Sequence, residues 1–294
     1  MSSFSLGEDG FSKAKSLIAK ASLHQEELLG EPISHEFIER ATPVAWLGEA
    51  VPGSWVTMAT NPSPKEFLNR NNQLLLGEQA RFHILENGQS LAEFAKDETQ
   101  LESAVEFYQT YFKEGKTYRT WFGKPGGAKL EGFINGMGGS FYESARLQNV
   151  VHSDFFPFAT RTHMGRIKEK LNLLGSDFSR EFMQDKLEFL RPGMVILLGR
   201  EHTALFERIE QGITFDPPKT IELYPSAHYQ LGFHQRLGIP LLGLHFKPSE
   251  QFLGLGGSQD VNGLSHGKYG TKTALNEMGR EIASNLKSFI KTMN

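Results

Sequence analysis

The 294-residue chain contains no cysteine. That absence excludes disulfides, thiolate zinc sites, iron–sulfur clusters and cysteine nucleophiles together, and it fits a reducing compartment. No apolar run reaches the length needed to cross a bilayer. The first residues, Met1-Ser2-Ser3-Phe4-Ser5-Leu6-Gly7-Glu8, lack the basic start and apolar core of a secretory signal. A cytoplasmic location is the expectation. There is no Walker A motif and no dinucleotide fingerprint after the first strand, and Gly136-Met137-Gly138-Gly139 is not an adequate substitute. The ten histidines show no HExxH or other close ligand spacing, so no metal or other cofactor is expected. Ser63, Ser226 and Ser249 have no nucleophile-elbow setting, which argues against a serine hydrolase. An excess of positive charge is also missing. The formal net charge is -3, so the chain is not a globally basic nucleic-acid binder, and local charge matters more than the sum.

What the chain does have is 23 phenylalanines and alternating helix and strand signals. Helical spacing of Phe11, Ala14, Leu17, Ile18 and Leu23 predicts an amphipathic helix over about 11–29, ended by Gly30-Glu31-Pro32. Further helices are expected over about 97–112, 161–174, 179–189, 203–209 and 271–293. Strands are expected over about 55–60, 147–154, 194–199 and 239–244, with 79–86 readable either way. The run Met194-Val195-Ile196-Leu197-Leu198 suits a strand buried on both faces. Alternation of apolar strands with helices predicts an α/β fold with a parallel sheet.

Three strand exits carry the candidate chemistry. Trp55-Val56-Thr57-Met58-Ala59 runs into Thr60-Asn61-Pro62-Ser63-Pro64. The residue before proline is pushed out of the α region, so this strand must stop there. Asn61 is then held at a strand exit, where open α/β sheets bind ligands. Its amide can orient a water or simply cap the turn. The second exit is His152-Ser153-Asp154, followed by Phe155, Phe156 and Phe158. Aromatic faces beside one acceptor suit a flat heterocycle, although the rings also suit a core and Asp154 a helix cap. The third is His245-Phe246-Lys247-Pro248-Ser249, where Lys247 can donate to a leaving group that gains negative charge. A basic run containing Arg161, Arg166 and Lys168 follows the second exit.

In this order, the three exits resemble the motifs of the uracil-DNA glycosylase superfamily, in particular its mismatch-specific and single-strand-selective branches. Ala59-Thr60-Asn61-Pro62-Ser63 matches the Asn-Pro core of the first motif. Val151-His152-Ser153-Asp154-Phe155-Phe156-Pro157 is similar to the middle motif, with one extra residue, and Lys247-Pro248-Ser249 to the last. The resemblance spans roughly Trp55 to Ser258 and implies a three-layer αβα fold with a short central parallel sheet. It also implies one glycosylase-like domain over 1–294, with a helical extension over about 1–50 and an insertion over about 79–130.

The implied activity is hydrolysis of the N-glycosidic bond of a base flipped out of DNA, leaving an abasic site. Asn61 would position the attacking water, and Lys247 would stabilise the departing base or contact a phosphate. Ser153 and Asp154 would read the base, with Phe67 and Phe158 as stacking partners. Gln251 and Phe252 would fill the hole in the duplex, while Ser63, Ser249, Arg161, Arg166 and Lys168 would hold DNA. Asp154 stands where the family has asparagine. An ionised carboxylate only accepts hydrogen bonds, which suits the amino group of a cytosine-type base better than uracil. Such bases mark some viral genomes, so antiviral defence is implied beside base-excision repair. The expected partner is DNA, the expected state a monomer. The alternative is a non-catalytic member of the fold that binds nucleic acid or protein, and a third reading is a nucleoside hydrolase.

Overall fold

The computed structural model describes residues 6–143, 145, 147–250, 258–263, 265–266 and 269–293. The chain divides into two compact units. The first comprises 1–52, 60–117 and 151–191; the second comprises 53–59, 118–150 and 192–294.

The first unit is helical and rich in aromatic residues. Helix α1 (Gly7–Leu29) buries Ala14, Leu17, Ile18 and Ala21 along one face and ends at Gly30. It packs against α2 (Leu91–Phe94) and α3 (Glu98–Thr110). Ser90 begins α2 with a reciprocal capping box to Glu93, and Asp97 caps α3 by accepting from the Gln100 amide. Buried rings knit the unit together. Trp46 lies edge-on to Tyr108 at 5.0 Å, and Phe156 edge-on to Phe158 at 4.7 Å.

The second unit holds most of the sheet, while Val151–Asp154 of β3 belong to the first. The strand order is β2-β3-β1-β4-β8-β7-β5, with β6 also paired to β7. The strands are β1 (Trp55–Ala59), β2 (Gly139–Ser140), β3 (Gln148–Asp154), β4 (Met194–Leu198), β5 (Ile213–Phe215), β6 (Lys219–Thr220), β7 (His228–His234) and β8 (Ile239–Leu244). β1 pairs parallel with β4, β4 with β8, and β2 with β3. The expected parallel sheet is present in these central strands, but one side of it is antiparallel: β7 runs antiparallel to β8, and β5 and β6 antiparallel to β7. The tight turn at Gly238 explains the change, since a short hairpin can join only antiparallel strands. The sheet is mixed and mostly parallel.

Helices α4 (Arg119–Phe122), α5 (Lys129–Met137), α8 (Arg200–Ile209) and α9 (Lys272–Met293) complete this unit. α5 and α9 approach closely through Gly136 and Gly279, where any Cβ would strike the backbone of the facing helix. The connection from β4 into α8 turns on Gly199 at φ 126°, a conformation open mainly to glycine.

The order of the sheet matters for placing a ligand. β1 lies between β3 and β4, so chain connections leave β1 toward one side and β4 toward the other. In open α/β sheets such reversals are where ligands bind. β1 delivers the chain straight to Thr60-Asn61, and β3 ends at Asp154.

One expected helix is also corrected. The 161–174 stretch forms a 3₁₀ turn at Met164–Arg166 and the short α6 (Lys170–Leu174), and α7 (Asp177–Leu190) follows. Gly165 weakens a continuous helix, and Ile167 takes an extended conformation between the two pieces. Residues 79–86 form no regular strand beyond a single bridge from Ile84 to Ala41.

Candidate functional site

The first unit receives both the β1 exit and the β3 exit. Thr60 O accepts from the Phe156 amide at 2.9 Å, which ties the two exits together. Asn61 strengthens the link. Its Nδ2 donates to Thr160 Oγ1 at 3.0 Å, to Phe158 O at 3.1 Å and to Pro62 O at 3.3 Å. The Asn61 amide nitrogen is thus committed to structure. Its carbonyl oxygen has no donor among the described residues and is the end left for a ligand or water. Ser63 caps the following 3₁₀ turn, its Oγ accepting from the Lys65 amide at 3.3 Å.

At the second exit Asp154 is the last residue of β3, not a helix cap, and is only 4 % exposed. Its carboxylate Oδ1 is buried and receives no hydrogen bond, with His152 Nε2 3.5 Å away. Its main-chain oxygen accepts from Nζ of Lys186, a lysine only 1 % exposed on α7. Burial pushes the Lys186 ammonium down to about 7, against the pull of the Asp154 charge. Ser153 faces the other way along the strand, and its Oγ donates to Ala45 O at 2.8 Å.

A second carboxylate stands in the same region. Glu66 ends the 3₁₀ turn that follows the Asn61 loop and is 4 % exposed. Tyr111 Oη donates to its Oε1 at 2.6 Å. Its Oε2 is buried without a hydrogen bond, 3.5 Å from the Arg81 guanidinium. Burial pushes the Glu66 carboxyl up to about 7. The negative charge of Asp154 adds to that rise, while Tyr111 and Arg81 oppose it. The region therefore holds two buried carboxylate oxygens without a hydrogen bond, each with a basic side chain, Arg81 or His152, 3.5 Å away.

The other expected residues fall in several places. Phe67 and Phe158 join Asn61 and Asp154 in the first unit, but both rings are buried. Phe67 packs on Phe82 at 5.1 Å, and Phe158 on Phe156 and Phe37. Neither presents a face to solvent in this structure. Arg161, Arg166 and Lys168 are exposed on the same unit.

Lys247 lies in the second unit, between Glu201 at 3.5 Å and Glu250 at 3.4 Å, with its stem against Gly199. It is an ion-paired lysine. Ser249 is buried and fully used: its Oγ donates to Trp121 O and accepts from the Leu130 amide at 2.9 Å, serving the start of α5. His245 bonds Gln230 Oε1 at 2.8 Å, and burial lowers its affinity for a proton. Gln251 and Phe252 lie outside the described residues.

Four residues of the first-unit site escaped sequence reasoning: Glu66, Arg81, Tyr111 and Lys186. A signal existed for Lys186. Phe182, Met183, Lys186, Leu187 and Leu190 share one helical face, so the pattern itself places a lysine among core residues. Nothing comparable marks Glu66, which sits in a one-turn element too short to show a period.

Among the described residues no group of three or more His, Cys, Asp or Glu is placed to hold a metal ion. No helix among them is long and apolar enough to cross a membrane. No protein-family model, no curated protein and no solved structure matches this chain, so a functional reading stands on the site alone.

Proposed function

We propose that the protein is a DNA glycosylase that hydrolyses the N-glycosidic bond of a flipped-out base bearing an exocyclic amino group. The observation that carries the reading is the meeting of the two strand exits in the first unit. There Asn61 Oδ1 has no donor among the described residues, and Asp154 Oδ1 receives no hydrogen bond, with His152 Nε2 3.5 Å away. In this reading Asn61 Oδ1 orients the water that attacks the sugar anomeric carbon, and Asp154 accepts from the amino group of the base. The ordered motifs at the ends of β1, β3 and β8, and adjacent strands β3, β1, β4 and β8, support a glycosylase-like fold. Arg161, Arg166 and Lys168 supply exposed positive charge for phosphates. Lys247 would exchange its two glutamate partners for a backbone phosphate. Excision of a modified base suits either repair or defence against modified viral DNA.

A second reading, a non-catalytic binder of nucleic acid or protein, is favoured by one observation: Asn61 Nδ2 and Lys247 Nζ already have protein partners. Abasic-site formation on DNA carrying a cytosine-type modified base, measured with the wild type and Asn61→Ala, separates the two. Product from the wild type, reduced at least about 100-fold in the variant, supports the enzyme. DNA binding without product from either supports the binder.

A further inference from the structure

We propose that a cavity in the first unit, apart from the strand exits, binds a free α-amino acid with an apolar side chain, held as a zwitterion. The inference is independent of the glycosylase reading.

The cavity has a volume of about 510 Å³, within the range of small-molecule sites. Its walls are the last turns of α1, the 3₁₀ turn Pro32–Glu36 with the residues after it, the 85–91 stretch, and Arg161. All of its lining residues belong to the first unit, and Asn61, Glu66 and Asp154 are not among them.

The buried part of the lining is apolar, with Phe37, Ile38, Leu85 and Leu91, and carries one polar group, Gln25. Gln25 is 2 % exposed. Its Nε2 donates to Ala41 O at 3.3 Å, while its Oε1 is buried and receives no hydrogen bond. A buried amide oxygen without a donor is costly, and this one belongs to a residue on a cavity wall.

Charge supplies a second observation. Glu26, Glu39, Arg40 and Arg161 line the cavity, two of each sign, and none of the four has an ion-pair partner among the described residues. Two of them are fixed by the backbone: Glu26 Oε2 accepts from the Leu91 amide at 2.8 Å, and Arg40 Nε donates to Leu85 O at 2.6 Å. The other titratable lining residue, His35, is bonded through Nδ1 to Pro32 O at 2.7 Å. Opposite charges set around one cavity and not paired with each other suit a ligand that carries both signs. A polyanion would meet the two carboxylates, and a simple cation the two guanidinium groups.

The backbone supplies a third. Arg40 has φ 64°, in the left-handed region that glycine or asparagine usually fills. An arginine retained there costs backbone energy that glycine would not.

An α-amino acid matches this lining group by group. Guanidinium groups pair with its carboxylate through paired N–H donors. Its ammonium, one carbon away, donates to Gln25 Oε1 and to the glutamates. Its side chain lies against Leu85 and Leu91.

The test is titration calorimetry of the full chain with L-leucine, L-methionine and L-phenylalanine. At least one should bind saturably, at one equivalent. Its amide, which lacks the carboxylate, and its N-acetyl derivative, which lacks the ammonium, should each bind at least about tenfold more weakly. Arg40→Gly, which the backbone at φ 64° accepts, should also weaken binding at least about tenfold. Arg161→Ala, at the exposed rim, serves as the second variant if Arg40→Gly disturbs the turn.

No saturable binding of any of the three at millimolar concentration would overturn the proposal. So would undiminished binding of the amide or the N-acetyl derivative, wild-type affinity in both variants, or tighter binding of dCMP than of the amino acids. Abasic-site formation is a separate readout, so failure here leaves the glycosylase reading standing, and failure there leaves this site standing.

Discussion

Glu131 and Glu66 are both buried glutamates, and the regions around them treat the carboxylate in opposite ways. Glu131, in the second unit, is 0 % exposed and both its oxygens are bonded. Oε1 accepts from Ser140 Oγ at 2.6 Å and Asn135 Nδ2 at 2.8 Å, and Oε2 from the Phe141 amide at 3.1 Å. It joins α5 to β2 and the turn beyond. Glu66, in the first unit, has a hydrogen bond to one oxygen only, with the Arg81 guanidinium 3.5 Å from the other, and Asp154 has an oxygen that receives no hydrogen bond, with His152 Nε2 3.5 Å away. A carboxylate saturated by donors is a structural tie, whereas one buried with incomplete hydrogen bonding carries a desolvation cost that the fold leaves less fully compensated.

That contrast can be broken by mutation. Glu131→Ala strands three donors and should destabilise the fold by about 3 kcal/mol or more, read as a lower denaturation midpoint at an unchanged denaturant slope. Glu66→Gln should change stability by no more than about 1 kcal/mol, because removing an incompletely paired buried charge offsets the weaker hydrogen bonding of the amide. Equal losses in the two variants would mean that Glu66 is a tie like Glu131.

The next effect is one of pH. Lys186 is depressed in the folded state to about 7 from 10.5. The unfolded chain therefore binds more protons between those values, and stability should rise with pH across that window, by up to about 1.4 kcal/mol per pH unit. Glu66, raised from 4.5 to about 7, works in the other direction below neutrality: stability falls as pH climbs through that range. The two together should give a shallow stability minimum near pH 7. Lys186→Met should flatten the alkaline side, and pH-resolved denaturation curves read it directly. The smallest effect belongs to the exposed arginines. Arg161→Ala and Arg166→Ala should each lower the salt slope of DNA binding by about 0.9 for every phosphate left without its cation.

Much of the frame was legible in sequence because the sheet interior and the long helices carry clear periods. Met194–Leu198 is buried at every position, as its unbroken apolar run implies. α1, α3, α7 and α9 follow their apolar stripes to within a few residues. β7 was missed. His228-Tyr229-Gln230-Leu231-Gly232-Phe233-His234 alternates imperfectly, and its pairing with β8 comes from a hairpin at Gly238, not from a helical crossover.

The site was half legible. Asn61 and Asp154 follow from strand exits, because proline and the end of an apolar run are local signals. That Asn61 commits its nitrogen to Phe158 and Thr160 is a long-range fact, invisible in any window of sequence. The same holds for Lys247, whose two glutamate partners lie 46 positions before it and three after. Burial of Glu66 is a tertiary property of a three-residue turn.

If Asp154 reads the base, its carboxylate at the end of β3 decides which base is released. Abasic-site yield tests this most directly, measured on otherwise identical DNA carrying either a cytosine-type modified base or uracil, with the wild type and Asp154→Asn. The wild type should release the cytosine-type base in preference to uracil. The amide of Asp154→Asn, which can donate as well as accept, should move that preference toward uracil by about tenfold or more. Efficient release of uracil by the wild type, with the modified base untouched, would contradict a base-selecting role for Asp154.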